Sequence, residues 1–345
     1  MPCATLLGYR LEQPSFRYRM SSLASALEAA GWTVRVESFP SGRYIVRTWE
    51  RRELLRSSDV VILHQIKLAG VEARLFAAFA RRRIFDFDDA IYVRKPRRLG
   101  EPADDSWWRR QKFAATCRQV DVVAAGNDVL AAAAAAHAQR VVTLPTALDA
   151  SLYRATSATQ DDPPTIVWVG NPENLVYLEI LRPALARLTV RHPTLRLRII
   201  CSRFPQWPEV RIEQVHWSPA AEIAALAGSH IGVMPLTDDE WARGKCAFKL
   251  LQYMAASLPC VASPVGANTE AVIESRTGYY ARNDSEWEDA LERLICSAEL
   301  RACLGAAGRA HVESRYGMQN YQARYVALFE SLVSDGANTS AIAGH

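Results

Sequence analysis

Trp241-Ala242-Arg243-Gly244-Lys245-Cys246-Ala247-Phe248-Lys249-Leu250-Leu251-Gln252-Tyr253-Met254-Ala255-Ala256-Ser257-Leu258-Pro259 runs directly into Cys260-Val261-Ala262-Ser263. The first stretch reads as an amphipathic helix. Phe248, Leu251, Ala255 and Leu258 form an apolar stripe, while Lys245, Lys249 and Gln252 share another face at i, i+4 and i+7. Gly244 is expected to open this helix. Pro259 ends it, and the short apolar run that follows reads as a buried strand. A helix that hands over to a strand in so few residues is half of a βαβ unit.

The same alternation runs through the whole chain. In the first half the expected strands are Ala4–Gly8, Thr33–Glu37, Asp59–His64, Arg83–Phe87, Asp121–Ala125 and Arg140–Leu144. A helix is expected near Arg17–Ala30, with Met20, Leu23, Leu27 and Ala30 on one face and Gly31 as its stop; Ala131–Ala136 suggests another. The second half restarts with strands at Thr165–Gly170, Leu195–Cys201, Ile231–Met234, Cys260–Ser263 and Gly278–Ala281. Between the halves, Asp149–Pro164 is polar and aperiodic, and a linker is placed there. The expected fold class is α/β: two Rossmann-like domains with parallel sheets facing an interdomain cleft. Residues 1–148 would form the first domain and 163–316 the second.

Composition agrees with two globular domains. The chain has 345 residues, 49% hydrophobic and 23% charged, so each half can bury a core. No apolar run is long enough to span a membrane, and the start lacks a signal-peptide layout, so a cytoplasmic protein is expected. The seven cysteines form no C-x-x-C pair and read as small buried hydrophobes. Net charge is +4 overall, but residues 1–150 carry +7 and the remainder −3. The basic half suits an acidic acceptor, the inner face of an anionic membrane or nucleic acid, or it reflects solvated helix ends and loops. Trp107-Trp108-Arg109-Arg110 pairs aromatics with cations, as peripheral membrane contacts do, although helix packing accounts for the tryptophans equally well. No nucleic-acid partner is expected.

Unusual residues collect where strands end, and in open α/β sheets ligands bind beyond those carboxyl ends. Gly8 leads into Pro14-Ser15-Phe16-Arg17-Tyr18-Arg19, and His64-Gln65 closes the third strand. Asp86, Asp88 and Asp89 surround the end of the fourth, and Gly170-Asn171 follows the first strand of the second half. Lys245 and Lys249 beside a helix N-terminus are electrostatically misplaced unless an anion sits there, and a diphosphate would satisfy both. Otherwise the lysines merely solvate the helix start.

Phe248-Lys249-Leu250-Leu251-Gln252-Tyr253-Met254-Ala255-Ala256, running through Leu258–Ser263 and Pro264-Val265-Gly266 to Glu270, resembles the donor-binding signature of family 4 glycosyltransferases of the GT-B fold. Thr165–Gly170 and Leu144–Asp149 resemble further parts of that family. The resemblance implies transfer of a glycosyl group from a nucleoside-diphosphate sugar to a hydroxyl acceptor, with retention of configuration. It implies no cofactor beyond the donor, and a final helix, 317–335, that packs back on the first domain. In that family two glutamates hold the donor, one at the sugar and one at the ribose. Here Gly244 and Gln252 stand at those positions. Gln252 can still hydrogen-bond a ribose hydroxyl; Asp238, Asp239 or Glu240 would have to serve in place of Gly244.

The resulting donor set is Gly170, Asn171, Arg243, Gly244, Lys245, Phe248, Lys249, Gln252 and Glu270. The resemblance places His64 at the donor sugar. Asp88 and Asp89 are candidate acceptor-side bases, with Asp86, Arg17 and Arg19 nearby on the acceptor side. Two other readings of the aspartates stay open: a salt-bridge network with Arg81–Arg83 and Arg94, or a metal site. No metal is expected, because the lysines can balance the leaving group. The acceptor could be a glycan, lipid-linked or a small molecule. A non-catalytic sugar-nucleotide-binding subunit and a nucleotide-sugar epimerase are the rival functions.

Overall fold

The computed structural model describes residues 1–101, 106–155 and 164–342. Six strands build the first sheet: β1 (Cys3–Gly8), β2 (Thr33–Ser38), β3 (Val60–His64), β4 (Arg82–Phe87), β5 (Val122–Ala125) and β6 (Val141–Thr143). All pair in parallel in the order β2-β1-β3-β4-β5-β6. Leu6 lies opposite Val36 on one side and Ile62 on the other. The second sheet holds β7 (Thr165–Val169), β8 (Arg196–Cys201), β9 (Ile212–His216), β10 (Ile231–Met234), β11 (Cys260–Ala262) and β12 (Gly278–Tyr280). Its order is β12-β11-β10-β7-β8-β9, again all parallel. Strand order therefore reverses between β1 and β3 in one sheet and between β7 and β10 in the other. Crevices open at such reversals.

Alternate residues of each strand feed two cores, one per face, as the period of two requires. In the first sheet Ala4, Leu6, Val60, Ile62 and Ile84 pack with Met20, Leu23 and Leu27, and with Tyr325, Leu328 and Phe329 of the helix Met318–Ile342. The chain's last helix thus seats on the first sheet. Truncating the fully buried Phe329 to alanine would cost about 3–5 kcal/mol. On the opposite face Leu7, Val61, Leu63, Phe85 and Phe87 meet Phe76, Phe113 and Leu130. In the second sheet Ile166, Trp168, Leu197 and Ile199 pack on Leu185, Leu188, Leu291 and Leu294. Val167, Val169 and Met234 pack on Leu250, Leu251 and Met254.

Eleven strands were expected, and β9 is the twelfth. It lies at the sheet edge, only partly buried, and Glu213 within it pairs with Arg198 at 2.9 Å, so it lacks the apolar run of a central strand. The expected helix near Arg17–Ala30 begins earlier, at Pro14, and takes a π-helical turn over Arg17–Ser21. Met20, Leu23 and Leu27 are buried as expected, whereas Ala30 is exposed. Within the expected linker, residues 156–163 lie outside the described residues. Cys296 and Cys303 are exposed and Cys246 half-buried, so not all seven cysteines fill cores.

A larger departure concerns Gly244. It does not open a helix; it caps the end of a short one, Glu240–Arg243. The next helix starts at Phe248, after Ala247 has turned the backbone through a left-handed conformation with φ 53°. Lys245 therefore precedes the helix that carries Lys249. Tertiary contact explains the glycine: a Cβ at Gly244 would lie 2.6 Å from the Ala90 Cβ of the first domain.

Candidate active site

Between the two sheets' carboxyl ends lies a cavity of roughly 460 Å³. Ser15 and Tyr18 enter it after β1, Gln65 after β3, and Asp88, Asp89 and Lys95 after β4. From the other side come Asn171, Glu173 and Asn174 after β7, and Trp241 with Lys245–Lys249 after β10. The loop Lys245–Ala247 crosses to the first domain. Cys246 Sγ contacts the Asp88 carbonyl oxygen at 3.1 Å, and Asn127 Nδ2 donates to the Lys245 carbonyl at 3.1 Å. Gly126 makes this crossing possible, since a Cβ there would lie 2.4 Å from Cys246 Sγ.

Three ammonium groups converge in the cavity, Lys95 from the first domain and Lys245 and Lys249 from the second. Lys249 lies over the Trp168 ring with its Nζ 4.5 Å from the centroid, and it has no ion-pair or hydrogen-bond partner among the described residues. Gly170 leaves it room: a Cβ there would sit 2.9 Å from that Nζ. Burial, then Lys245 and Lys95, push the Lys249 ammonium well below its ordinary range. Lys245 stands over the Tyr177 and Trp241 rings, at 5.9 and 5.6 Å. Lys95 meets Glu173 at 3.5 Å, yet burial and Lys245 still bring it down to about 8. Buried Trp241 Nε1 and Asn174 Oδ1, both of lining residues, have no hydrogen-bond partner among the described residues. Unpaired buried cations and polar atoms are costly, so the site is built for an anionic, hydrogen-bonding ligand.

Opposite the lysines runs a chain of hydrogen bonds. Arg19 forks onto Asp86, with Nε at 3.0 Å from Oδ1 and Nη2 at 2.5 Å from Oδ2. Asp86 Oδ1 meets His64 Nδ1 at 2.7 Å, and His64 Nε2 meets Ser15 Oγ at 2.9 Å. Ser15 Oγ donates to Asp88 Oδ1 at 2.5 Å, and Gln65 Nε2 reaches the same oxygen at 2.5 Å. Gln65 does so from a left-handed backbone with φ 56°, a conformation that costs a non-glycine residue free energy. Burial works to raise the Asp86 carboxyl, but Arg19 and His64 overcome it and hold the group well below the usual carboxylate range. Asp89 has the opposite fate. Burial pushes it up to about 6 and Asp88 adds to the rise, against Lys245 and Lys95. Asp86 and Asp89, three positions apart, thus sit in opposite electrostatic settings, and of the two only Asp89 lines the cavity.

A second buried polar group lies behind Tyr18 and Phe248, whose rings are 4.3 Å apart. Gln252 Nε2 donates to Glu222 Oε1 at 2.5 Å and to the Tyr153 hydroxyl at 3.0 Å. Glu222 also accepts from Trp217 Nε1 at 2.7 Å, and burial raises its carboxyl. The carboxylate absent from position 252 is present beside it, supplied by another helix, Pro219–Ala227.

Of the residues singled out from sequence, Asp88, Asp89, Asn171, Lys245, Phe248 and Lys249 line the cavity. His64 is one hydrogen bond removed, through Ser15. Arg19 and Asp86 are displaced from the acceptor side: both side chains are wholly buried, in a network with Thr146 and Tyr325 beneath the cleft. Asp86 does not pair with Arg81–Arg83, because Arg82 and Arg83 are taken by Asp121 and Arg81 by Asp59. Arg17 lies over the Trp217 ring across the cleft rim, at 5.6 Å. Arg243 points away to Asp238, and Glu270 sits off the cavity, 3.9 Å from Arg315. Asp238, Asp239 and Glu240 do not stand in at the Gly244 position. Asp238 holds Arg243, Asp239 caps the Ala242 N–H and Glu240 pairs with Arg110.

Ser15 and Gln65 stood among the strand-end residues but were given no role, and Lys95 and Glu222 were not singled out from sequence. Lys95 was hidden in a basic run, and Glu222 is the lone acid of an alanine-rich helix, a signal that could have been read. Among the described residues His192, Glu292 and Cys296 could hold a metal ion, far in sequence from the cavity's lining. No described helix is long and apolar enough to cross a membrane.

Residues 163–297 match the family model for glycosyl transferases group 1. The match supports glycosyl transfer. The whole architecture is that of GT-B glycosyltransferases. A sucrose-phosphate synthase from Thermosynechococcus elongatus superposes with a TM-score of 0.76 at 14% identity, covering 97% of this chain and 100% of that one. Anabaena HepE, solved with UDP and glucose, gives 0.71 at 11% identity, covering 95% and 99%. A glycosyltransferase from Rickettsia africae gives 0.75 at 11%, covering 96% and 98%. In sequence the chain is similar to spore coat protein SA of Bacillus subtilis, 31% identical over 80 residues, which are 22% of this chain and 21% of that protein.

Proposed function

We propose that the protein is a family 4-like glycosyltransferase that moves a sugar, a hexose by the same resemblance, from a nucleoside diphosphate to a hydroxyl acceptor. One observation carries this reading: three cations, Lys95, Lys245 and Lys249, converge on a cavity that Asp88 and Asp89 also line. The lysines take the diphosphate and stabilise the leaving group as its charge develops. Gln252 and Glu222 receive the ribose hydroxyls once Tyr18 and Phe248 part. Residues 1–148 serve the acceptor and 163–316 the donor, with 317–335 returning to the first domain. Asp88, held by Ser15 and Gln65, faces the acceptor; the Asp86–His64 pair orients Ser15 and neighbours the donor sugar. The resemblance supports retention of anomeric configuration, which NMR of the first-formed product would reveal. The working place is the cytoplasm, at the inner face of the membrane if the exposed pair Trp107 and Trp108 touches lipid.

Thermal melts with UDP, GDP, ADP and dTDP test the donor class, since a ligand bound only by the folded state raises stability by mass action. At least one should shift the transition, and a flat response to all four would overturn the reading. Activity should survive EDTA, because lysines rather than a metal balance the diphosphate. Inactivation that Mn²⁺ or Mg²⁺ reverses would contradict this. Nothing carboxylic stands at the Gly244 position, which favours a second reading: a subunit that binds a sugar nucleotide without turning it over. Nucleotide binding without release of sugar to any acceptor or to water would establish that reading instead.

A further inference from the structure

A second group of cations lies on the first domain. Lys67 sits in the segment between β3 and the helix Gly70–Phe79. Its neighbour Leu68 donates its N–H to Thr116 Oγ1 at 2.8 Å, which pins the segment against the helix Trp107–Arg118. Arg109, Lys112 and Thr116 fall at i, i+3 and i+7 on that helix, hence on one face. The face that meets Leu68 through Thr116 therefore brings Lys112 and Arg109 beside Lys67. Burial, then Arg109 and Lys112, lower the Lys67 ammonium to about 8.

None of the three meets a carboxylate among the described residues. Among the described residues Arg109 donates only to the Val93 carbonyl, at 3.4 Å. Like charges gathered at a half-buried spot raise the free energy of the site until an anion joins them. Arg109 also lines the main cavity, so an anion held here would reach toward Asp88 and Asp89 from the acceptor side. This set shares no member with Lys95, Lys245 and Lys249. A guanidinium and two ammonium groups match a phosphoryl dianion, with its several acceptor oxygens, better than a single carboxylate.

We infer that Lys67, Arg109 and Lys112 bind a phosphoryl group carried by the acceptor, so that the acceptor is a phosphorylated hydroxyl compound. The inference rests on the glycosyl-transfer reading and names its acceptor class. Trp107 and Trp108 begin the same helix and are 60% and 69% exposed. They would meet the bilayer if the phosphoryl group belongs to a lipid and would stay in water if the acceptor is soluble.

The test first loads the protein with whichever of the four nucleoside diphosphates binds, filling the donor side. Inorganic phosphate is then titrated calorimetrically at low ionic strength. Phosphate should bind the loaded protein, and Lys67→Gln and Lys112→Gln should each weaken it by about tenfold or more, as expected for loss of a charge-assisted hydrogen bond. Affinity for the nucleotide should not change. Two further arms separate the sources. Sedimentation with phosphatidylcholine vesicles containing phosphatidic acid, lost in Lys67→Gln, supports a lipid-borne group. Binding of glycerol 3-phosphate without vesicle binding supports a soluble one. Phosphate that binds only the nucleotide-free protein, or binds both variants like the wild type, would overturn the inference. Failure of every nucleotide to bind would instead strike the glycosyl-transfer reading, and the phosphate titration would still report on Lys67.

Discussion

Replacing Lys249 with methionine should move two quantities in opposite directions. In the free protein Lys249 has in its favour the Trp168 ring at 4.5 Å and the smaller pull of Asp89, and against it burial and two like charges, Lys245 and Lys95. A cation over an aromatic face is worth about 0.5–2 kcal/mol. Against that stand partial desolvation of an unpaired ammonium and repulsion from two like charges. Methionine keeps the volume and its own contact with the ring while removing the charge, so the free variant should gain roughly 1 kcal/mol. For domains of this size that is a rise in Tm of about 2–4 °C. The same change removes a charge-assisted hydrogen bond to the diphosphate, worth about 1.5–3 kcal/mol, or roughly ten- to 150-fold in Kd. Calorimetric titration of the nucleoside and its diphosphate, beside thermal melts, reads both effects. Equal weakening toward nucleoside and diphosphate would refute the placement of Lys249 at the phosphates. A lower Tm in the free variant would refute the claim that its charge lacks a partner.

Asp88→Asn and Asp89→Asn, assayed for transfer and for melting, separate a chemical role from a structural one. Loss of a positioned acid or base should cost about 10²–10⁴-fold in transfer with Tm nearly constant, and normal transfer by both variants would remove these residues from the chemistry. Arg19→Met should behave differently, leaving buried Asp86 without its cation and destabilising the fold by about 3–5 kcal/mol in chemical denaturation. An unchanged midpoint would show that Asp86 does not depend on Arg19. The lysine at position 95 makes a pH signature. Its folded value, about 8, lies below the ordinary 10.5, so between these values the unfolded chain binds more protons and stability of the free protein rises with pH. Lys95→Met should flatten that rise over pH 8 to 10.5, measured without nucleotide; an identical slope in the variant would count against the shift.

The strands were legible because a parallel sheet covered on both faces demands unbroken apolar runs such as Val60–Leu63 and Val122–Ala125. The edge strand β9 was not, since Glu213 and Gln214 dilute its pattern. Local signals failed where distant contacts decide. Gly244 looks like a helix opener from its neighbours, yet what requires glycine there is Ala90 of the other domain, which leaves no room for a Cβ. Asp86 was grouped with Asp88 by adjacency, but Asp86 still belongs to β4 and meets Arg19, 67 residues away in sequence, whereas the strand ends at Phe87 and the chain carries Asp88 into the cleft. Lysines 245 and 249 came together as expected for a different reason, the left-handed turn at Ala247 rather than a shared helix face. Glu222 escaped because a signature search looks for the carboxylate at position 252 and the chain supplies it from elsewhere.

The glycine contacts at the crossing have a mechanical consequence. Gly126 against Cys246 and Gly244 against Ala90 bring the lobes so close that one methyl group would collide. Surfaces this tightly apposed resist sliding past each other, whereas a small rotation about them disturbs few atoms. The crossing would act as the fulcrum of any such rotation. The far rim, where Arg17 lies over Trp217 and Tyr18 against Phe248, would part first. A substrate bound near the fulcrum would feel little of that rotation, and the lysines and aspartates beside it would keep their spacing.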